Sequence, residues 1–386
     1  MKALILSFSN VHADPRVLRQ IRWLREAGFS QVNVIGSGAA PENCDVFYEL
    51  SPKSSLRRYL GYVIRSGPKR FNYFFGRRLD QIENTLEWPD LLVVNEPEFL
   101  AWTWLYQDAI ADKPTYLDLH EDHLSRAHTG LLQKLAFERY WSWQTDILGK
   151  FVKTRSGGLA VTSVEAIIAE AYSEHFGVNV DVLMNAPDFS ILNPSPVTPE
   201  KFKLVHHGIG TKHRGIETSL KAMRQLPENY YLTLVLIQSW HFKLKLKCLA
   251  IFWGVSDRVD IRAGLPLKNL VDWLSGQDIA IVLQSSATAN HLNSLPNKLF
   301  ESIHARLAVV CAPNPAIRRI VEGYNLGLAS RSWKADDLAA TLLTLDSSAV
   351  TKYKSNANLA ARELSASVGQ ELFNRKIQGL MINRDM

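Results

Sequence analysis

The chain runs to 386 residues, with 46 % hydrophobic and 21 % charged side chains and a formal net charge of +6. That length exceeds what one hydrophobic core usually serves, and the composition is globular, so two folded domains are expected and extended disorder is excluded. The positive balance suits phosphate-bearing ligands, nucleic acid or an anionic membrane surface.

The three cysteines, Cys44, Cys248 and Cys311, are odd in number and far apart. They make neither a disulfide framework nor a CxxC metal spacing, and a reducing cytoplasm is the expected setting. The apolar run that opens Met1–Ser7 is too short for a signal peptide. No apolar stretch reaches the length of about 18 residues that spans a bilayer.

In chain order, Ala3–Ser7 reads as a buried strand. Arg16–Ala27 follows as a helix with Val17, Ile21 and Leu24 on one face and Gly28 as its stop. Further strands are expected at Gln31–Ile35, Leu91–Val94, Thr115–Asp118, Gly158–Thr162 and Val180–Leu183. Pro187, Pro194, Pro196 and Pro199 then crowd a segment that suits neither a helix nor an inner strand, the expected interdomain linker. Alternation resumes with strands at Lys203–His207, Tyr231–Ile237, Arg258–Ile261, Asp278–Leu283 and Leu307–Cys311, and a last helical stretch covers about Asn356–Leu380. Strand–helix alternation on both sides of a linker predicts an α/β chain of two Rossmann-like domains facing a central cleft. The expected divisions are 1–187, a linker 188–200, 201–355, and a helical segment 356–386 returning toward the first domain.

Three segments carry candidate chemistry. Ser294-Leu295-Pro296-Asn297-Lys298-Leu299-Phe300-Glu301 reads as a helix start, with Ser294 as cap and proline in the first turn. Its free amides would attract a diphosphate, and Asn297 and Glu301, four apart, share one face, with the carboxylate placed for ribose hydroxyls. A capped surface helix with a solvated Glu301 reads equally well. His207-Gly208-Ile209-Gly210-Thr211-Lys212-His213-Arg214-Gly215 offers glycines for close backbone approach and cations for a departing diphosphate, though a flexible turn would look the same. Asp118-Leu119-His120-Glu121-Asp122-His123 ends a strand. It places His120 at the cleft mouth or, equally, pairs helix-start acids with a hydrogen-bonded histidine; HExxH zinc spacing is absent.

Taken together, these segments resemble the retaining GT-B glycosyltransferases of family 4 over nearly the whole chain. The resemblance runs in order through Asp14-Pro15-Arg16-Val17, Tyr116–Glu121, Val161-Thr162-Ser163, Met184–Asp188, Gly208–Glu217 and Pro296–Glu301. It implies an acceptor-binding first domain and a donor-binding second one. By position it implies that His120 contacts the transferred sugar, and that Gly208, Lys212, Arg214, Ser294 and Leu295 hold the leaving diphosphate. Asn297, Lys298 and Glu301 would bind the nucleotide, Asn293 the donor sugar, and Asn10, His12 and Glu121 the acceptor side. It also implies no metal or other cofactor, and front-face attack with the leaving phosphate accepting the acceptor's proton. Asn293 and Ile209 stand where the family often has Glu and Arg, which marks a divergent branch.

Pro52–Arg78 holds eight cations and no acid among aromatics, including Arg57, Arg58, Lys69 and Arg70. That mixture suits the inner face of an anionic membrane, a phosphorylated acceptor, or a solvated basic helix. No nucleic-acid motif accompanies it, so nucleic acid is not an expected partner. Against glycosyl transfer to a glycan or glycolipid stand a nucleotide-sugar epimerase of similar architecture, which needs acid and base carboxylates around the sugar, and a scaffold that binds nucleotide sugar or glycan without turnover.

Overall fold

The computed structural model describes residues 1–50, 86–96, 99, 112–120, 122, 124, 142, 145–154, 158–211, 214–285 and 292–384. The expectations placed on Pro52–Arg78, Glu121 and Lys212 lie outside these described residues. The chain divides into two compact units, one of Met1–Leu183 with Gly369–Met386 and the other of Met184–Val368.

The first unit is built on a seven-stranded sheet, all of whose pairings are parallel. Its strands are β1 (Lys2–Asn10), β2 (Gln31–Ser37), β3 (Val46–Glu49), β4 (Leu91–Val94), β5 (Thr115–Leu119), β6 (Leu159–Ser163) and β7 (Val180–Val182). They lie in the order β3-β2-β1-β4-β5-β6-β7, which reverses direction between β1 and β4. Strands covered on both faces read as near-continuous apolar runs, as β4 does; every residue of β4 and β5 is buried, Asp118 of β5 included. Helix α1 (Pro15–Glu26) starts where Asp14 accepts a 2.9 Å bond from the Arg16 amide and Pro15 takes a first-turn position. It buries Val17, Ile21 and Leu24. Helix α2 (Ala166–Phe176) stops at Gly177, whose φ of +67° suits glycine.

The second unit repeats the plan with six parallel strands. These are β8 (Phe202–Ile209), β9 (Tyr230–Ile237), β10 (Val259–Ala263), β11 (Ile279–Val282), β12 (Ala308–Cys311) and β13 (Gly327–Ala329), in the order β10-β9-β8-β11-β12-β13. Around them run α3 (Ile216–Ala222), α4 (Trp240–Phe252), α5 (Leu267–Leu274), α6 (Asn297–His304), α7 (Pro315–Gly323), α8 (Ala335–Leu343) and α9 (Ser347–Glu363). A Cβ at Gly327 would stand 1.9 Å from the Val309 carbonyl oxygen, so β13 closes on β12 only with glycine there. At the opposite edge, β10 is largely solvent-facing and pairs Asp260 with Arg262.

The proline-rich residues 183–197 form no helix or strand. Ser195 in this segment bonds Ser275 O and Lys354, and Ser190 is bound by Arg306, fully buried at a φ of +62°. Its guanidinium donates to Ser190 O at 2.7 Å, His304 O at 2.5 Å and Asn358 Oδ1 at 2.7 Å.

The last helical stretch is two helices, not one. Leu364 leaves helical geometry at ψ +45°, and the Ser365 hydroxyl donates to Arg362 O at 2.7 Å. The Ala366 amide then turns to Pro187 O at 2.8 Å, where α10 (Ala366–Arg384) begins. Beyond Gly369 that helix belongs to the first unit. Phe373 is fully buried, with its ring 5.4 Å from Trp23 and 4.8 Å from Tyr116. Lys376 pairs with Asp181, and Gln370 with Glu26. Truncating a buried aromatic removes its transfer energy and leaves a cavity, so Phe373→Ala should lower unfolding free energy by about 3–5 kcal/mol. Urea unfolding followed by fluorescence reads this directly. A midpoint unmoved from wild type would mean that α10 contributes nothing to the first core.

Candidate functional site

In open parallel sheets, ligands gather beyond the carboxyl ends of the strands, near the reversal of strand order. In the second unit that reversal lies between β8 and β11. A cavity of about 360 Å³ opens there, with His207, Gly208, Arg214, Asn297, Lys298 and Glu301 among its walls. Gly208 has a φ of +122°, a conformation other residues avoid. Gly215, at +72°, leads into α3, and a Cβ on it would meet the Leu283 Cβ at 2.4 Å. Close packing of that turn on the end of β11 therefore requires glycine.

Helix α6 does not start at Ser294 as expected. Pro296 is the capping residue, extended at ψ +146°, and the first helical residue is Asn297. The cause is local: a residue preceding proline is driven out of the helical region, so Leu295 cannot be helical. Ser294 instead accepts a 2.7 Å bond from Gln284 Nε2. Asn293, Ser294 and Leu295 are not among the described walls of the cavity. The leading amides of α6 are those of Asn297 and Lys298, which have no partner within the helix.

Lys298 is buried, and its ammonium donates to Leu283 O at 2.5 Å. It also lies 3.4 Å from His206 Nε2. Burial, reinforced by Arg214 and opposed by Glu301, pushes its pKa down to about 7. The Ser219 hydroxyl donates to Gly215 O at 3.1 Å and lies 2.7 Å from His206 Nδ1. With its proton committed, that hydroxyl accepts from Nδ1–H, which leaves Nε2 as the acceptor facing Lys298. Burial and the neighbouring Lys298 hold His206 neutral, its pKa well below the ordinary range. Next along β8, buried His207 donates from Nε2 to Glu301 Oε2 at 2.9 Å. Asn297 is exposed and accepts from Asn185 Nδ2 at 2.9 Å.

Of the expected donor-side residues, the cavity thus gathers Gly208, Arg214, Asn297, Lys298 and Glu301. The partnership of His207 with Glu301 and the role of His206 beneath Lys298 were not anticipated. The only sequence signal was two adjacent histidines closing a strand before a glycine.

In the first unit, His120 follows β5. Its Nδ1 adjoins Arg16 and lies 3.9 Å from Asp118 Oδ2, and its Nε2 lies 3.8 Å from Glu96 Oε1. Arg16 also binds the fully buried Asp118 at 2.9 Å. Glu96, absent from the sequence expectations, follows β4 and accepts from Ser7 Oγ at 2.9 Å and the Phe8 amide at 3.1 Å. Burial pushes its pKa up to about 8, so near neutrality it is mostly protonated. Asn10 is exposed at the end of β1, and exposed His12 places Nδ1 3.3 Å from Ala40 O.

Residues 190–362 match the family model described as glycosyl transferases group 1. Among curated protein sequences none matches the chain. Among solved structures, Anabaena HepE in complex with UDP and glucose is 14 % identical, with a TM-score of 0.68, covering 98 % of this chain and 99 % of its own. Sucrose-phosphate synthase from Thermosynechococcus elongatus is 13 % identical, with a TM-score of 0.71 and 99 % of both chains covered. WaaG, a glycosyltransferase involved in lipopolysaccharide biosynthesis, is 15 % identical, with a TM-score of 0.60, covering 97 % of this chain and 98 % of its own. Similarity over both lengths at such identities is a likeness of fold. Residues 190–362 are accordingly similar to the glycosyl transferases group 1 family, on a chain with the GT-B fold.

Proposed function

We propose that this chain transfers a hexose-type residue from a nucleotide diphosphate sugar to a hydroxyl of a glycan or glycolipid, with retention of configuration and without a metal ion. The observation that carries the reading is the convergence of Arg214, Lys298, Glu301 and the leading amides of α6 on one cavity. Cations and a helix N-terminus match the charge that develops on a departing diphosphate. His207 already occupies one oxygen of Glu301, which fixes the carboxylate and leaves its other oxygen to accept ribose hydroxyls. The volume of about 360 Å³ falls within the roughly 300–1,000 Å³ of small-molecule sites. The UDP and glucose held by HepE support a UDP-linked donor here, and the role of WaaG in lipopolysaccharide supports a glycolipid acceptor. In the proposed step the acceptor oxygen bonds the anomeric carbon as the carbon–phosphate oxygen bond breaks. The departing phosphate takes the acceptor's proton. His120 contacts the sugar, with Lys212 a second cation for the diphosphate. Arg57, Arg58, Lys69 and Arg70 attract an anionic membrane that presents the acceptor, which makes the protein a cytoplasmic one, peripheral on the inner face.

A thermal-shift panel of UDP, GDP and ADP tests the donor site. A nucleotide at a hundred times its Kd adds about 2.7 kcal/mol to stability. No shift with any of the three would leave the cavity without a nucleotide. Loss of hydrogen bonds to a charged group makes Glu301→Ala lower nucleotide affinity about tenfold or more. His120→Ala is expected to cut kcat about a hundredfold with nucleotide affinity unchanged, in product assays by mass spectrometry. Equal losses of nucleotide affinity in both variants contradict these roles.

Lys298 makes binding dependent on pH. Below about 7 its ammonium is charged and faces the diphosphate; as pH rises through about 7 it discharges. Calorimetric titrations with UDP should therefore weaken between pH 6 and 8.5, and Lys298→Met should flatten the profile. A wild-type affinity that stays level across this range would remove Lys298 from phosphate binding.

A further inference from the structure

Helix α4 has two apolar faces. One is buried by Leu246 and Ala250, with Phe242 and Leu249 packed against the core. The other carries Trp240, Leu244 and Ile251, which are 68 %, 53 % and 69 % exposed, with Phe252 at 80 %. The spacing of 240, 244, 248 and 251 keeps Trp240, Leu244, Cys248 and Ile251 on one side of the helix, and Cys248 is exposed among them. An isolated exposed apolar residue is ordinary, but four on one short helix form a patch that calls for a partner.

The charges around the patch identify that partner. From Trp240 to Phe252 there is no acidic residue, while Lys243, Lys245 and Lys247 interleave with the apolar positions. On a helix, Lys243 and Lys247 fall along one flank of the exposed ridge and Lys245 along the other. Lys245 pairs with Glu217 of α3 at 3.0 Å and lies over the Phe242 ring, while Lys243 and Lys247 add charge on the far side. An apolar ridge with an indole at one end, bordered by lysines, is the pattern of a helix lying in a lipid interface. Ser239 caps its start, accepting from the Phe242 amide at 3.3 Å, so the helix is already formed before it meets a surface.

We propose that the exposed face of α4 is a docking surface for an anionic lipid bilayer, with Trp240, Leu244, Ile251 and Phe252 entering the headgroup region and Lys243 and Lys247 meeting lipid phosphates. It lies in the second unit, separate in sequence from Arg57–Arg70, and does not depend on the glycosyl-transfer reading.

The test uses the full chain with Cys44→Ser, so that Cys248 is the accessible thiol, Cys311 being fully buried. An environment-sensitive dye on Cys248 reports α4 itself, whichever other segment also binds lipid. With vesicles of phosphatidylcholine and phosphatidylglycerol, dye emission should shift to the blue and rise at least twofold. Vesicles of phosphatidylcholine alone should leave it unchanged. Leu244→Gln, Ile251→Gln and Phe252→Gln together, all at exposed positions, should lower the dye response to anionic vesicles at least tenfold while leaving the UDP thermal shift as in wild type. A silent dye on protein that sediments with anionic vesicles overturns the proposal, as does an undiminished dye response in the triple variant. Absence of any vesicle binding overturns it as well. A lipid-free dimer that the triple variant dissolves, seen by analytical ultracentrifugation, assigns the face to a second copy instead.

Discussion

The candidate site of the second unit turns on one buried cation. The Lys298 ammonium is removed from water on the first turn of α6 and is bound by the carbonyl of Leu283, just past β11, and by the His206 imidazole of β8. Removing an ammonium from water is costly, and a carbonyl with a neutral ring compensates only in part, so its charge is marginal near neutrality. In return, α6 is fastened across the two central strands at the point where the sheet reverses. From that anchor, Glu301 lies one turn along and meets His207, while Asn297 stands at the opening of the helix. The turn at Gly215, closed on Leu283, brings Arg214 to the same cavity. The positions of Asn297, Lys298 and Glu301 in the cavity depend on this one fastening, whereas Arg214 is placed by the Gly215 turn.

Much of the architecture was legible because strands buried on both faces must be continuously apolar. Leu91–Val94 is the plainest case, and the apolar face of Val17, Ile21 and Leu24 marked α1; Thr115–Asp118 was read as a strand although it buries Asp118, which pairs with Arg16. The elements that escaped are those whose stability comes from neighbours. Strand β3 has an exposed valine and only four residues, and β13 is three residues led by a glycine. Each exists because an adjacent strand offers a free edge. The break between α9 and α10 carries neither glycine nor proline; it is made by the local bond of Ser365 to Arg362 O and the tertiary bond of the Ala366 amide to Pro187 O. The lysine–leucine alternation in α4 has the period of a strand, yet the Ser239 cap and the burial of Leu246 and Ala250 make it a helix.

The candidate site divides along the same line. Residues that act through local geometry, such as Gly208 and the Asn297–Glu301 pair, could be named from spacing. Those that act through a distant partner could not: His207 and Glu301 are 94 positions apart, and Glu96 meets Ser7 across 89. Ser294 misled because a good capping residue lay two positions before a proline, and the steric demand of proline outweighed the capping preference.

The outer strand of the second sheet has a consequence for the protein in a crowded solution. A parallel sheet ends in a strand whose free amides and carbonyls invite any extended chain to join it. On β10 that edge carries Asp260 and Arg262, already paired with each other and half in water. An incoming strand would have to break that pair or bury it. Fibril-like growth from this edge is thereby disfavoured, even though β10 lies only a few residues beyond the apolar surface of α4.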